Sequence, residues 1–119
     1  MHHRLALAIG ALVLAGHALA TDATPAARQL AQDAVIVDTH IDAPSELLKE
    51  WKDLGERSEG RQFDYPKSRE GGLDVAFMSI YTSANEDETG KAWQIANMQI
   101  DAVEALVARH PDRFALLTS

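Results

Sequence analysis

Three short apolar segments, separated by segments of helical character, constrain the fold of this 119-residue chain more than any other feature. They lie at residues 35–37, 75–81 and 114–117, and the first is a continuous β-branched run, Val-Ile-Val. Continuous rather than alternating apolar character favours strands that are buried on both faces, as in a parallel sheet. The segments between them have the length that right-handed helical crossovers need. The sequence therefore predicts an α/β fold with a parallel sheet.

Helix signals support this order of elements. Thr24 followed by Pro25 is typical of a helix start and predicts a helix that ends near Asp33. The spacing of leucine and tryptophan predicts a second helix over residues 45–54. An amphipathic pattern predicts a long helix over residues 91–109, which the following His-Pro pair stops.

Shorter segments lie between these helices and strands. One or two helical turns are predicted over residues 63–70, because the pair Gly71-Gly72 ends the run. Residues 56–62 and 83–90 are rich in charged and turn-forming residues and are predicted to be exposed loops. No internal repeat and no phosphate-binding glycine loop accompanies them.

The first twenty residues have the three parts of an export signal. Residues 1–4 are positively charged, residues 5–15 are uniformly apolar, and residues 18–20 form an Ala-Leu-Ala cleavage site. At about 1.5 Å per residue, the apolar run spans only about half of a ~30 Å hydrocarbon core. The sequence therefore predicts a cleaved signal peptide over residues 1–20, a mature start at Thr21 and a periplasmic or extracellular location in a bacterium.

Composition narrows the classes of function. Eleven Lys and Arg residues against eighteen Asp and Glu residues give a net charge of −7. Nucleic acid is not an expected partner, because binding its phosphates needs a cluster of basic side chains. The chain has no cysteine, which is compatible with an oxidising compartment.

One pair of residues carries chemistry that the fold does not require. His40 and Asp42 follow the first apolar run, and residues i and i+2 of a strand point to the same face about 6.6 Å apart. Imidazole nitrogen and carboxylate oxygen both suit zinc, and ligands gather at the carboxyl ends of parallel strands. Asp38 has the same parity and is expected to face the same way. The alternative is that His40 bonds a loop carbonyl and Asp42 caps the next helix.

The remaining histidines add little to this hypothesis. His2, His3 and His17 lie in the predicted signal peptide. His110 follows the long helix, where an interaction with the helix dipole explains it.

Two segments resemble a known family. Residues 35–42 (VIVDTHID) resemble the opening of the membrane (renal) dipeptidase family, the zinc dipeptidases of peptidase family M19, in which a strand ends in Asp-x-His-x-Asp. Residues 63–81 (FDYPKSREGGLDVAFMSIY) resemble the Asp-x-Pro-x-x-Arg-x-Gly-Gly segment of that family, which leads into an apolar strand ending in Ser-x-Tyr. The resemblance covers essentially all of residues 34–119.

The resemblance implies a zinc-dependent dipeptidase with a TIM-like (β/α)8 barrel of the metal-dependent hydrolase type. His40 and Asp42 would bind the first of two zinc ions. A bridging glutamate would follow the third strand, and two histidines from later strands would hold the second ion. The substrate would be a dipeptide, and the complete enzyme could be a homo-oligomer.

The number of strands departs from that family. A barrel of this type takes about 250 residues and eight strands, whereas three strands are predicted here, leaving an open edge and an uncovered apolar face. Glu86, Glu88 and Glu104 precede the third strand, so none is expected to be the bridging ligand. We therefore expect a linker and helix over residues 21–33 and the N-terminal part of a barrel over residues 34–119.

This expectation has functional consequences and leaves alternatives. No catalytic residue is assigned, and the chain by itself is expected to be inactive, because a catalytic zinc normally has three protein ligands. Another metal-dependent amidohydrolase remains an alternative, since the residues that set specificity lie outside the chain. A small exported, non-catalytic binding module is the second alternative.

Overall fold

The computed structural model describes residues 22–118, so the predicted signal peptide lies outside the described residues. Seven elements follow one another along this part of the chain. They are α1 (Pro25–Asp33), β1 (Ile36–Ile41), α2 (Ala43–Lys49), α3 (Tyr65–Gly71), β2 (Leu73–Met78), α4 (Ala84–Glu88) and α5 (Ala92–Arg109). Among residues 22–118, no helix combines the length and the apolar character needed to cross a membrane.

The two strands pair in parallel, which confirms the predicted direction of the sheet. Strand β1 extends to Ile41, so it includes polar residues that were expected to follow it. The prediction that the first strand is buried on both faces is wrong, since Val37 is 46% exposed. In the described part of the chain the sheet consists of these two strands.

The predicted third strand does not form in the structure. Residues 114–118 follow the end of α5 without regular secondary structure. Phe114 packs against the core, whereas Leu116 and Leu117 are 54% and 78% exposed. An apolar run becomes a strand only when its backbone pairs with a neighbouring strand, because N–H and C=O groups need partners.

Three helix predictions are confirmed. Helix α1 begins where Thr24 Oγ1 accepts a hydrogen bond from the Ala27 N–H at 3.2 Å. Helix α3 ends at a left-handed Gly72, and α5 runs over Ala92–Arg109. Each of these helices has a strong local signal, namely a capping side chain, a glycine terminator or an extended amphipathic pattern.

Two other predictions need correction. Helix α2 spans Ala43–Lys49 rather than residues 45–54, because the backbone becomes extended at Glu50. Its last predicted residue, Leu54, is nevertheless buried and joins the core through a turn. Residues 84–88 form the short helix α4, where Ser83 and Glu86 make a reciprocal capping box that satisfies two backbone donors.

The core lies where α2 packs on α5. Its buried members are Leu47, Leu54, Ala102 and Leu106. Outside this core, a groove of 620 Å³ is lined largely by apolar side chains of β2, α5 and residues 114–117. Large apolar side chains of the small sheet, such as Val37 and Phe77, are exposed in the described structure.

Candidate functional site

The carboxyl ends of the two strands meet at one edge of the sheet. The Ser79 N–H, just beyond β2, donates to the Ile41 carbonyl at the end of β1 over 2.9 Å. His40 is the second-last residue of β1, and Asp42 comes directly after the end of the strand. Both predicted site residues therefore lie at the edge where parallel α/β folds bind ligands.

The structure brings the two predicted side chains together. His40 Nε2 lies 3.3 Å from Asp42 Oδ1, and the two side chains are 68% and 63% exposed. Asp42 occupies the N-cap position of α2, yet its side chain makes no cap hydrogen bond in the described structure. The alternative role of Asp42 as a side-chain cap is therefore not what the structure shows.

The distance between His40 Nε2 and Asp42 Oδ1 is compatible with two donor atoms that share one zinc ion. Zinc ligands lie about 2.0–2.2 Å from the ion in a tetrahedral arrangement, which separates neighbouring donor atoms by about 3.3 Å. The separation of His40 Nε2 and Asp42 Oδ1 matches that value. Within residues 22–118, however, no group of three or more His, Cys, Asp or Glu side chains could hold a metal. Among the described residues, His40 and Asp42 thus stand as a pair, of the residue types that bind zinc, without a third such side chain beside them.

An open pocket of 340 Å³ surrounds the pair. Its lining includes Asp38, His40 and Asp42 together with Phe63, Lys67 and Ser68. The larger apolar groove along β2 includes neither His40 nor Asp42, and we attribute no ligand chemistry to it. The smaller pocket combines apolar side chains with a few polar and charged ones, as ligand sites commonly do.

Comparison with known families settles what kind of chain carries this site. A family model described as "Membrane dipeptidase (Peptidase family M19)" matches residues 24–119. The chain belongs to this family. No curated protein and no solved structure matches it.

Membership in the M19 family indicates a type of reaction and a type of fold. The family consists of dipeptidase-type hydrolases that are generally zinc-dependent, and it implies a TIM-barrel-like fold. The match extends from the cap of α1 through both strands to the segment after α5. The pocket at the carboxyl edge of the sheet is thus where the substrate of a barrel hydrolase is expected.

Asp64 of the M19-like segment has a structural role that sequence analysis missed. Its fully buried carboxylate accepts hydrogen bonds from the Ser58 N–H and the Lys67 N–H, at 2.9 and 2.8 Å. The Lys67 ammonium group lies 2.9 Å from the same carboxylate and also donates to two carbonyls, of Ser58 and Arg61. Asp64 therefore fixes the position of Lys67, which lines the pocket around His40 and Asp42.

The cluster around Asp64 also corrects the predicted exposed loop over residues 56–62. Ser58 is buried, and the Arg61 side chain is only 13% exposed. Arg61 Nη2 donates to the Glu50 carbonyl at 2.7 Å, while its Nη1 donates to Glu46 Oε2 at 3.1 Å. Charged residues that are expected in solvent thus attach this loop to α2. In the sequence, the one indication of the cluster around Asp64 is its position as a helix-capping aspartate, three residues before Lys67.

His110 does not line the pocket around His40 and Asp42, and its side chain makes a contact that the sequence did not predict. Its Nε2 atom lies 2.6 Å from Asp53 Oδ1, and its ring packs so closely on Gly55 that any Cβ there would overlap it. Burial alone would raise the pKa of Asp53, but hydrogen bonds from His110 and the Gly55 N–H hold it below its usual value. His110 therefore joins the end of α5 to the turn after α2.

The three glutamates that were set aside occupy other places. Glu86 closes the capping box of α4, Glu88 ends that helix, and Glu104 lines the apolar groove. None of them lines the pocket around His40 and Asp42.

Proposed function

We propose that this chain supplies the first half of the zinc site of a dipeptidase, which hydrolyses the peptide bond of dipeptides. The observation that carries the proposal is the 3.3 Å separation of His40 Nε2 and Asp42 Oδ1 at the carboxyl edge of a parallel sheet. The fit of this separation to tetrahedral zinc, in a chain of the M19 family, supports this assignment.

The two side chains have complementary tasks. His40 offers a nitrogen lone pair when its ring is neutral, and Asp42 contributes negative charge that favours a divalent cation. When bound, zinc lowers the pKa of a coordinated water and polarises a carbonyl group. The exposure of both side chains leaves room for an ion and a small substrate, and a pocket of 340 Å³ lies within the range of small-molecule sites.

We further propose that the chain forms the N-terminal part of a TIM-like barrel and hydrolyses no dipeptide by itself. Two zinc ligands fall short of the three that a catalytic zinc normally has. The exposed side chains of Val37 and Phe77 on the small sheet, and of Ile80 just beyond β2, are what additional strands and helices of a barrel would cover. The bridging glutamate and the ligands of the second ion belong to that remainder.

Substitution of His40 tests the zinc site. In a zinc titration of the full chain followed by the backbone amide NMR resonances of Ile41 and Asp42, wild type is expected to bind weakly but at a defined position. His40→Ala removes the nitrogen ligand and should abolish binding at this edge, and Asp42→Asn should weaken it by about tenfold, because a neutral oxygen replaces a charged one. His110→Ala is the matched control, and it should leave zinc binding at Asp42 unchanged.

The same substitutions have a second consequence in a protein that continues this segment into a complete barrel. His40→Ala should lose both one zinc ion and the hydrolysis of Gly-x and Ala-x dipeptides. Unchanged metal content and turnover in His40→Ala would refute the assignment of the site. Loss of both in a well-folded His110→Ala variant would show that the wrong histidine had been chosen.

We also propose that residues 1–20 direct export and are then removed. The support is the sequence of a short basic region, an apolar run and an Ala-Leu-Ala site. Sequencing of the N-terminus of exported protein should begin at Thr21. An intact Met1 in a membrane fraction would contradict the proposal.

A further inference from the structure

The strand that carries His40 is irregular at that point. Asp38 pairs with Ala76 and Ile41 pairs with Met78, so three steps along β1 correspond to two steps along β2. This shift is a β-bulge, with the extra residue in the segment Thr39-His40. Bulges re-aim side chains and are over-represented next to active sites.

The side chain of Asp38 satisfies a backbone donor within this bulge. Asp38 Oδ1 accepts a hydrogen bond from the His40 N–H over 2.9 Å. A bulge disrupts the ladder locally and leaves backbone groups that need other partners. The bond from Asp38 therefore fixes the backbone of the residue whose ring contacts Asp42.

The bulge bears on the site because it includes His40, whose ring reaches Asp42. In a regular strand, the Cα atoms of residues i and i+2 lie about 6.6 Å apart, whereas Asp42 lies just beyond β1, at the N-cap of α2. Here the donor atoms of His40 and Asp42 approach to 3.3 Å. We propose that Asp38 is a positioning residue, which holds the bulge at His40 so that the ring points toward Asp42 and a shared cation. The identity of the cation as zinc rests on the proposed function.

Asp38 acts through the backbone and not as a third ligand of the ion. It lines the same pocket as His40 and Asp42, yet the described residues contain no group of three side chains that could hold a metal. Its carboxylate oxygen is instead engaged by the His40 N–H. What the site requires of residue 38 is thus a hydrogen-bond acceptor, and the negative charge is secondary.

The opposite end of the sheet provides a matched control. A second register shift lies between Ile36 and Val37, where Asp74 is the extra residue of β2. Asp74 Oδ2 accepts a hydrogen bond from the Ile36 N–H, also over 2.9 Å. Asp74→Ala thus removes the same kind of bond from the same sheet, but far along β1 from His40.

The test compares Asp38→Ala, Asp38→Asn and Asp74→Ala in the full chain. The first measurement is zinc affinity from the backbone amide resonances of Ile41 and Asp42, and the second is hydrogen exchange at the His40 amide. Asp38→Ala should weaken zinc binding by about tenfold, as loss of groups that orient a ligand typically does, and should speed exchange at His40. Asp38→Asn keeps the acceptor oxygen, so it should stay within about threefold of wild type in both measurements. Asp74→Ala should leave both unchanged.

Three results would overturn the inference. An Asn variant as weak as the Ala variant would show that the charge of Asp38, or direct ligation, matters. Equal losses in Asp74→Ala would show that the bond only stabilises the sheet, and wild-type affinity in Asp38→Ala would show that the bulge does not need it. If wild type and His40→Ala bind zinc alike, the proposed function fails. Exchange at the His40 amide then decides alone whether Asp38 holds the bulge.

Discussion

Asp64→Ala should lower the free energy of unfolding by about 2–4 kcal/mol, because it removes a fully buried carboxylate that binds two backbone N–H groups and a partly exposed ammonium group. The substitution leaves the buried Ser58 N–H and the Lys67 ammonium group without their carboxylate. It also removes the cap of α3, where the Lys67 N–H donates to Asp64 Oδ1. Because these bonds join a loop to the start of a helix, their loss should loosen the wall of the pocket as well.

Urea denaturation followed by far-UV circular dichroism measures this effect. Thr24→Ala is the control, because Thr24 caps α1 through one hydrogen bond at an exposed position. Thr24→Ala should lower the free energy of unfolding by about 1 kcal/mol. Similar losses for the two variants would contradict the role that the structure gives to burial of Asp64.

The pH dependence of this effect has a definite sign. Burial by itself would raise the pKa of Asp64, but the bonds from Ser58, the Lys67 N–H and the Lys67 ammonium group hold the pKa below its usual value. A group whose pKa is lower in the folded state stabilises the fold above its unfolded pKa, near 3.9. The gap in stability between wild type and Asp64→Ala should therefore stay constant at neutral pH and narrow below about pH 4. A gap that widens on acidification would show that the folded carboxyl has a raised pKa.

Gly72→Ala should destabilise the protein by about 2–4 kcal/mol, the second large effect expected of a single substitution. Gly72 ends α3 with φ at +82°, a left-handed conformation that costs a residue with a Cβ atom. A Cβ at this position would also overlap the carbonyl group of Ala31, in helix α1. Since backbone atoms cannot rotate away, α1 would have to shift on α3.

The preceding residue provides a matched control for this prediction. Gly71 lies within α3, its φ is not positive, and a Cβ there would meet no atom within 4 Å. Gly71→Ala should therefore be neutral or stabilising by up to about 1 kcal/mol, because alanine favours a helix. Urea denaturation of the two variants side by side tests the pair. Equal stability of Gly71→Ala and Gly72→Ala would refute the conformational argument.

Several features followed from the sequence because local signals determine them. The Thr24 cap, the Gly72 terminator and the amphipathic pattern of α5 act over one or a few turns. The parallel sheet followed from apolar runs joined by helical connections. The spacing of His40 and Asp42 likewise indicated a shared face, and the structure brings their donor atoms together.

Tertiary structure decided the features that depend on residues distant in sequence. The segment at 114–117 has strand composition but forms no strand, because its backbone has no neighbouring strand to pair with in the described structure. Asp53 and His110 are 57 residues apart, and only the packing of α5 makes them partners. The bulge at His40 arises from the register between β1 and β2. Composition and periodicity report on one segment at a time, whereas register, burial and pairing are properties of two segments in contact.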